Sequence, residues 1–227
     1  IEVTKANVQL FNKAGLDFAI LGNEEKSSGD VARRAGDEGL FQELAFENIE
    51  VMMQYGVTKV ITQCPHVYNT FKNEYSTLGK DLGFEIEVYH HSEILAEAIQ
   101  AGALQPTNEV QQNITYHDPC YLARYNSVFA PPRFILESIP GVTLKAVENE
   151  KTKSTCCGGG GAQMWFEAPG SHINVMRFEE LNEHSPDTIA AACPYCSIML
   201  STATTNAFPG TNIPEIEDVA ITLLKAV

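Results

Sequence analysis

Short apolar, β-branched runs alternate with helical patterns along the whole chain. Residues 17–21, 57–62, 84–89, 114–117, 142–147 and 188–192 read as buried parallel strands. Between them, a 3.6-residue apolar period predicts helices over 8–14, 39–55, 92–101, 132–139, 173–183 and 216–226. Strand and helix alternating in this way argue for α/β layers, with helices on both faces of mostly parallel sheets. The stretch AGALQPTNEV at 101–110 interrupts the pattern and reads as a linker. The expected organisation is a first unit over 1–104, a linker at 105–110 and a second unit over 111–227.

The two units look like copies of each other. A shift of 129 positions lays Ser27-Ser28-Gly29 on Cys156-Cys157-Gly158 and also Cys64-Pro65-His66-Val67 on Cys193-Pro194-Tyr195-Cys196. Val60-Ile61-Thr62 then falls on Ile189-Ala190-Ala191, so two motifs and the strand between them agree on one shift. Under the same shift the counterpart of Cys120 falls before residue 1, and the chain opens on Ile1. The expectation is a piece of a longer protein whose first repeat lacks its opening strand and loop.

Composition narrows the function classes. With 227 residues, 44% of them hydrophobic and 19% charged, the chain can bury a large core, which excludes a disordered segment or a disulfide miniprotein. Fifteen Lys and Arg against 29 Asp and Glu give a net charge of -14, which repels nucleic acid and anionic membrane surfaces. No apolar run is long enough to span a bilayer.

The cysteines carry the chemistry. Five of the six lie in the second half: Cys120, then Cys156-Cys157 after 35 residues, then Cys193 and Cys196 after another 35. Thiolates bind zinc or iron–sulfur clusters, and five exceed what one tetrahedral zinc needs. Each group follows a predicted strand, so in an open parallel sheet the three loops meet at the carboxyl edge. The run Gly158-Gly159-Gly160-Gly161 after the vicinal pair leaves room that a Cβ would fill.

Three strings, HDPCYLARYN at 117–126, CCGGGGAQMW at 156–165 and CPYC at 193–196, resemble the cysteine-rich CCG domain of heterodisulfide reductase catalytic subunits and their relatives. The relatives include iron–sulfur subunits of hydroxyacid and glycerol-3-phosphate oxidoreductases and electron-transfer-flavoprotein:quinone oxidoreductases. GDVARRAGDE at 29–38 and CPHVYNTFKNEY at 64–75 are similar to first-repeat strings of the membrane-associated members. The resemblance implies a duplicated α/β protein and one noncubane [4Fe-4S] cluster. Its implied ligands are Cys120, Cys156, Cys157, Cys193 and Cys196. It further implies electron transfer to or from a disulfide, quinone or partner protein. Implied partners are a ferredoxin-like cubane-cluster domain, a flavoprotein or a quinone-linked membrane subunit. The implied setting is cytoplasmic, or the cytoplasmic face of a membrane complex.

The first repeat departs from the motif. Ser27 and Ser28 stand at the cysteine pair, Val67 stands at the last cysteine, and no cluster is expected there. Cys64 reads as a small buried apolar residue. His117, beside Asp118 and Pro119, is the candidate proton donor near the cluster, although a loop histidine also serves by fixing its turn. His66, His90 and His91 read as structural or surface residues. Arg33 and Arg34 read as ion-pair partners of Asp30, Asp37 and Glu38, and Trp165 and Phe166 as packing or a shielding wall. The alternative function is a noncatalytic scaffold stabilised by zinc.

Overall fold

The computed structural model describes residues 1–166, 170, 172–207 and 213–227. The first half runs α1 (Glu2–Lys13), α2 (Asp30–Arg34), α3 (Glu38–Gln54), β1 (Lys59–Thr62), α4 (Pro65–Asn69), a π turn (Thr70–Tyr75), α5 (Ser76–Leu78), β2 (Glu87–His90) and α6 (His91–Gln100). The second half runs β3 (Gln112–Tyr116), α7 (Cys120–Ala123), α8 (Ala130–Glu137), β4 (Val142–Lys145), α9 (Ile173–Asn182), β5 (Thr188–Ala191), α10 (Pro194–Ala207), β6 (Glu215–Asp218) and α11 (Val219–Ala226).

The strands form two parallel sheets, β1-β2 and β4-β3-β5-β6. Their register carries the duplication into three dimensions. β1 pairs with β2 so that Thr62 faces His90, and β5 pairs with β6 so that Ala191 faces Asp218. In both halves the first strand of the pair leads into Cys-Pro at a helix start, Cys64-Pro65 at α4 and Cys193-Pro194 at α10. Proline suits that position because its fixed φ matches the helix and its missing N–H costs nothing there. The second strand of each pair ends on the cap of a helix. The His90 ring accepts from the Ser92 backbone at α6, and Asp218 Oδ1 accepts from Ala220 N at 2.9 Å at α11.

Two expectations fail. Residues 17–21 form no strand and run instead into a 3-10 turn, Gly22–Glu24. Their counterpart in the second half is β4, which exists by pairing with β3. Among the described residues nothing supplies the first half with such a partner, and a lone strand has no ladder to make. The helix expected over 216–226 begins only at Val219. The residues before it pair with β5 as β6, and Asp218 marks the change.

The 101–110 stretch is irregular but anchored: the amides of Thr107 and Asn108 donate to Ala226 O, and Val110 N donates to Pro140 O. One apolar core crosses it, joining Leu10, Tyr68 and Leu95 to Ile114, Leu122, Ile135 and Leu223. Helix α1 packs on α11 and α6 on α8. Smaller clusters sit behind the sheets, around Phe41, Ile49 and Tyr75 in one half and Phe178, Leu181 and Ile189 in the other.

Candidate metal centre

The carboxyl ends of β3 and β5 point at one place. His117 N donates to Ala190 O at 2.8 Å, extending the β3–β5 pairing by one residue before the chain turns through Asp118-Pro119 to Cys120 at the start of α7. Asp118 is held by both guanidinium nitrogens of Arg133, at 2.6 and 2.7 Å, and by Lys151 N at 2.7 Å. Its carbonyl accepts from Ser154 Oγ at 2.9 Å, which ties the His117 loop to the Cys156-Cys157 loop.

The glycines after the pair act as the sequence suggests. Gly158 has φ +85°, and a Cβ there would stand 3.2 Å from Ile173 Cβ. At Gly159 a Cβ would come within 2.9 Å of Met199 Cγ. Side chains at these positions would push the Cys156-Cys157 loop off α9 and α10.

All five expected cysteines come together. Cys157, Cys193 and Cys196 pack in one buried cluster, and Cys120 and Cys156 lie close enough to it and to each other that the thiols shift one another's pKa. Cys157, Cys193 and Cys196 are buried; Cys120 and Cys156 are half-buried. Proton affinity follows this packing. The thiols of Cys120 and Cys157 and the Gly158 amide hold Cys156 down to about 2, although burial opposes them. Hydrogen bonding to Cys156 comes first among the causes that push Cys157 up to about 12. Burial works against the Cys193 thiolate, but Cys196, His66 and the amides of Cys196 and Tyr195 bring it below its ordinary value. Metal binding would displace protons from this set, because a thiol must ionise to ligate.

His117 completes the set. It is fully buried, and one ring nitrogen lies within 4.8 Å of both Cys157 Sγ and Cys196 Sγ. Its Nδ1 accepts from Arg177 Nε at 3.0 Å. Arg177, itself fully buried, also donates to Glu180 Oε2 at 2.6 Å and Asn149 O at 3.1 Å. Arg177 and Glu180 were not singled out from sequence. The signal was present: Asn174, Arg177, Phe178 and Leu181 form the buried stripe of α9, and an arginine in an apolar stripe has a buried partner.

The first half places other chemistry at the matching positions. Ser27 Oγ and Ser28 Oγ accept from the Gly29 and Asp30 amides at 3.3 and 3.4 Å. Burial pushes the Cys64 thiol up to about 12. Around them lies an ion-pair network: Asp30 Oδ2 meets His66 Nδ1 at 2.8 Å, Asp30 Oδ1 accepts from Arg34 at 3.1 Å, and both Arg33 and Arg34 bind Glu74. Arg33 also pairs with Glu38 at 3.4 Å, whereas Asp37 instead caps α3 through Leu40 N. Glu74 is the partner that the sequence did not reveal. The His66 ring lies between those of Tyr121 and Tyr195, 4.5 Å from each, so the first half closes over the cysteine loops. His90 and His91 are buried in the core, while Trp165 and Phe166 are exposed, with Trp165 edge-on to Tyr195 at 6.2 Å.

A duplicated parallel α/β scaffold with a largely buried thiol set at its strand ends defines a cysteine-rich class of α/β protein. The family model described as "Cysteine-rich domain" (CCG) matches residues 1–72 and 114–201, and the chain belongs to that family. It is 49% identical over 92% of its length to the Bacillus subtilis protein named "Probable iron-sulfur-binding oxidoreductase FadF", covering 28% of that protein. It is 39% identical over 99% of its length to the "EtfAB:quinone oxidoreductase" of Syntrophomonas wolfei, covering 32% of it. Identity is 35% over 86% of the chain to a polypeptide of the heterodisulfide reductase of Methanosarcina barkeri, covering 49% of it. The chain thus spans between 28% and 49% of the length of these relatives, which are named as iron–sulfur or redox proteins. Among the described residues no helix is long and apolar enough to cross a membrane.

Proposed function

We propose that this chain is an electron-transfer part of a heterodisulfide-reductase-like iron–sulfur oxidoreductase, holding one noncubane [4Fe-4S] cluster on Cys120, Cys156, Cys157, Cys193 and Cys196. The observation that carries the reading is the meeting of cysteines from three separate loops, with Cys157, Cys193 and Cys196 in one buried cluster and Cys120 and Cys156 beside it. The donor chemistry fits: soft thiolates in a largely buried site suit iron–sulfur ligation, and a fifth exceeds the four of a cubane. When bound, the cluster would supply electron exchange. The chain's own residues hold it, exclude water and set the charge around its sulfurs.

In this reading the second unit, 111–227, is the working half. The first unit, 1–104, holds no cluster and covers the site through His66, with 105–110 as the connection. The partners are other redox domains or subunits: a ferredoxin-like cubane-cluster domain, a flavoprotein or a quinone-linked membrane subunit. A cytoplasmic location, or the cytoplasmic face of a membrane complex, suits reduced thiolates.

A zinc-stabilised scaffold is the second reading, favoured by the tight grouping of His117, Cys157 and Cys196, which with Cys193 would offer a four-donor zinc site. Metal analysis of anaerobically purified protein separates the two. Iron and sulfide near about four each per chain support the cluster; about one zinc without sulfide supports the scaffold.

A further inference from the structure

We propose that His117 serves the metal centre as a hydrogen-bond donor to sulfur and not as a ligand, and that Arg177 is the positioning residue that fixes it in that role. This rests on the reading of the cysteines as a metal-binding set. The ring carries the most direct sign. A guanidinium has five N–H donors, no acceptor, and keeps its protons in proteins. The 3.0 Å bond from Arg177 Nε therefore requires a lone pair on His117 Nδ1. An imidazole with its lone pair on Nδ1 carries its proton on Nε2.

Sulfur is the chemistry nearest to that N–H. His117 Nε2 is buried and has no hydrogen-bond partner, and the grouped ligand atoms beside the ring are Cys157 Sγ and Cys196 Sγ. Ligation through Nε2 would need the proton moved to Nδ1, where it would collide with the Arg177 N–H. Arg177 is not free to leave, because Glu180 Oε2 and Asn149 O hold its other end at 2.6 and 3.1 Å. Metal-bound histidines show the opposite arrangement, with the far nitrogen donating to a carboxylate or carbonyl. Here the far nitrogen accepts from a cation.

A donor to cluster sulfur draws off negative charge and favours the reduced state, so it raises the reduction potential.

The test combines composition, potential and ring tautomer. In protein purified and handled without oxygen, His117→Phe should keep iron and sulfide per chain at the parent level and shift the midpoint potential negative. His117→Gln, whose amide N–H reaches toward the same sulfurs, should move the potential back toward the parent. Nitrogen-15 NMR of the metal-free parent should show the Nε2–H tautomer for His117, a readout that needs neither a cluster nor a folded variant. Iron loss in His117→Phe as complete as in Cys157→Ser would make His117 a ligand and overturn the proposal, as would an unchanged potential or an Nδ1–H tautomer. A parent protein without iron and sulfide would instead overturn the cluster reading; the tautomer would still decide whether Arg177 fixes the ring.

Discussion

Replacing Asp218 with Asn should stabilise the protein at neutral pH and leave it nearly unchanged in mild acid. Asp218 is 2% exposed, and burial lifts its carboxyl from an ordinary 3.8 to about 7, against the pull of the Ala220 amide. Its nearest basic neighbour gives no relief. His91 Nε2 is 3.7 Å away, but burial holds His91 well below its usual pKa and hence neutral. The sign follows from proton counting. Below about pH 4 both folded and unfolded chains hold the Asp218 proton. As pH rises toward 7 only the unfolded chain releases it, so stability falls by about 1.4 kcal/mol per pH unit, or at most about 4 kcal/mol over the interval. An asparagine never ionises and still caps α11 through its carbonyl oxygen. Urea unfolding of the metal-free, reduced protein between pH 5 and 8 measures the difference. The gap between variant and parent should widen with pH and level off above 7. A gap that stays constant, or that favours the parent at pH 8, would refute the argument.

Other outcomes follow from the same geometry. Cys156→Ser and Cys157→Ser should each abolish or convert the cluster, seen as lost iron and an altered paramagnetic signal, while Cys64→Ser should leave iron content unchanged. Gly158→Ala should cost about 1–3 kcal/mol in urea unfolding, because φ +85° strains any side chain there and the new Cβ meets Ile173 at 3.2 Å. Asp30→Asn should cost about 3–5 kcal/mol at neutral pH by removing the buried carboxylate that Arg34 and His66 share. The Asp30 carboxyl is held below its ordinary value by His66 and Arg34 against burial, so this penalty should shrink as pH falls through that lowered value. A redox partner should bind with a basic face, and its association rate should fall as salt rises, since the chain carries -14.

How much of this was legible in sequence depends on whether a feature is local. The cysteine spacings and the 129-residue shift are arithmetic on the chain; the shift carries β1 onto β5, with β2 and β6 one residue out of step. The run at 17–21 has strand composition, yet strand formation needs a neighbour that composition does not reveal. β6 was hidden because Ile216 continues the apolar pattern of α11 backward, although Asp218 was a readable cap. Helix α10 was masked by the CPYC string, whose Cys196 is both a site sulfur and, with Leu200 and Ala203, part of the buried helix stripe. Arg177 needed the opposite inference, a charge read as core because its helix neighbours are core. Glu74, a π-turn residue 40 positions from Arg34, had no sequence signal at all.

The single core running through both halves bears on how the halves depend on each other. Leu10, Tyr68 and Leu95 are fully buried against residues of the second half, and α1 and α6 lie on α11 and α8. Truncating such a side chain to alanine typically costs about 2–5 kcal/mol, a large part of a domain's total stability. The first half is therefore tied to the second through its core, whatever stands at Ser27, Ser28 and Val67, and unfolding either half would strip the floor from beneath the cysteine loops.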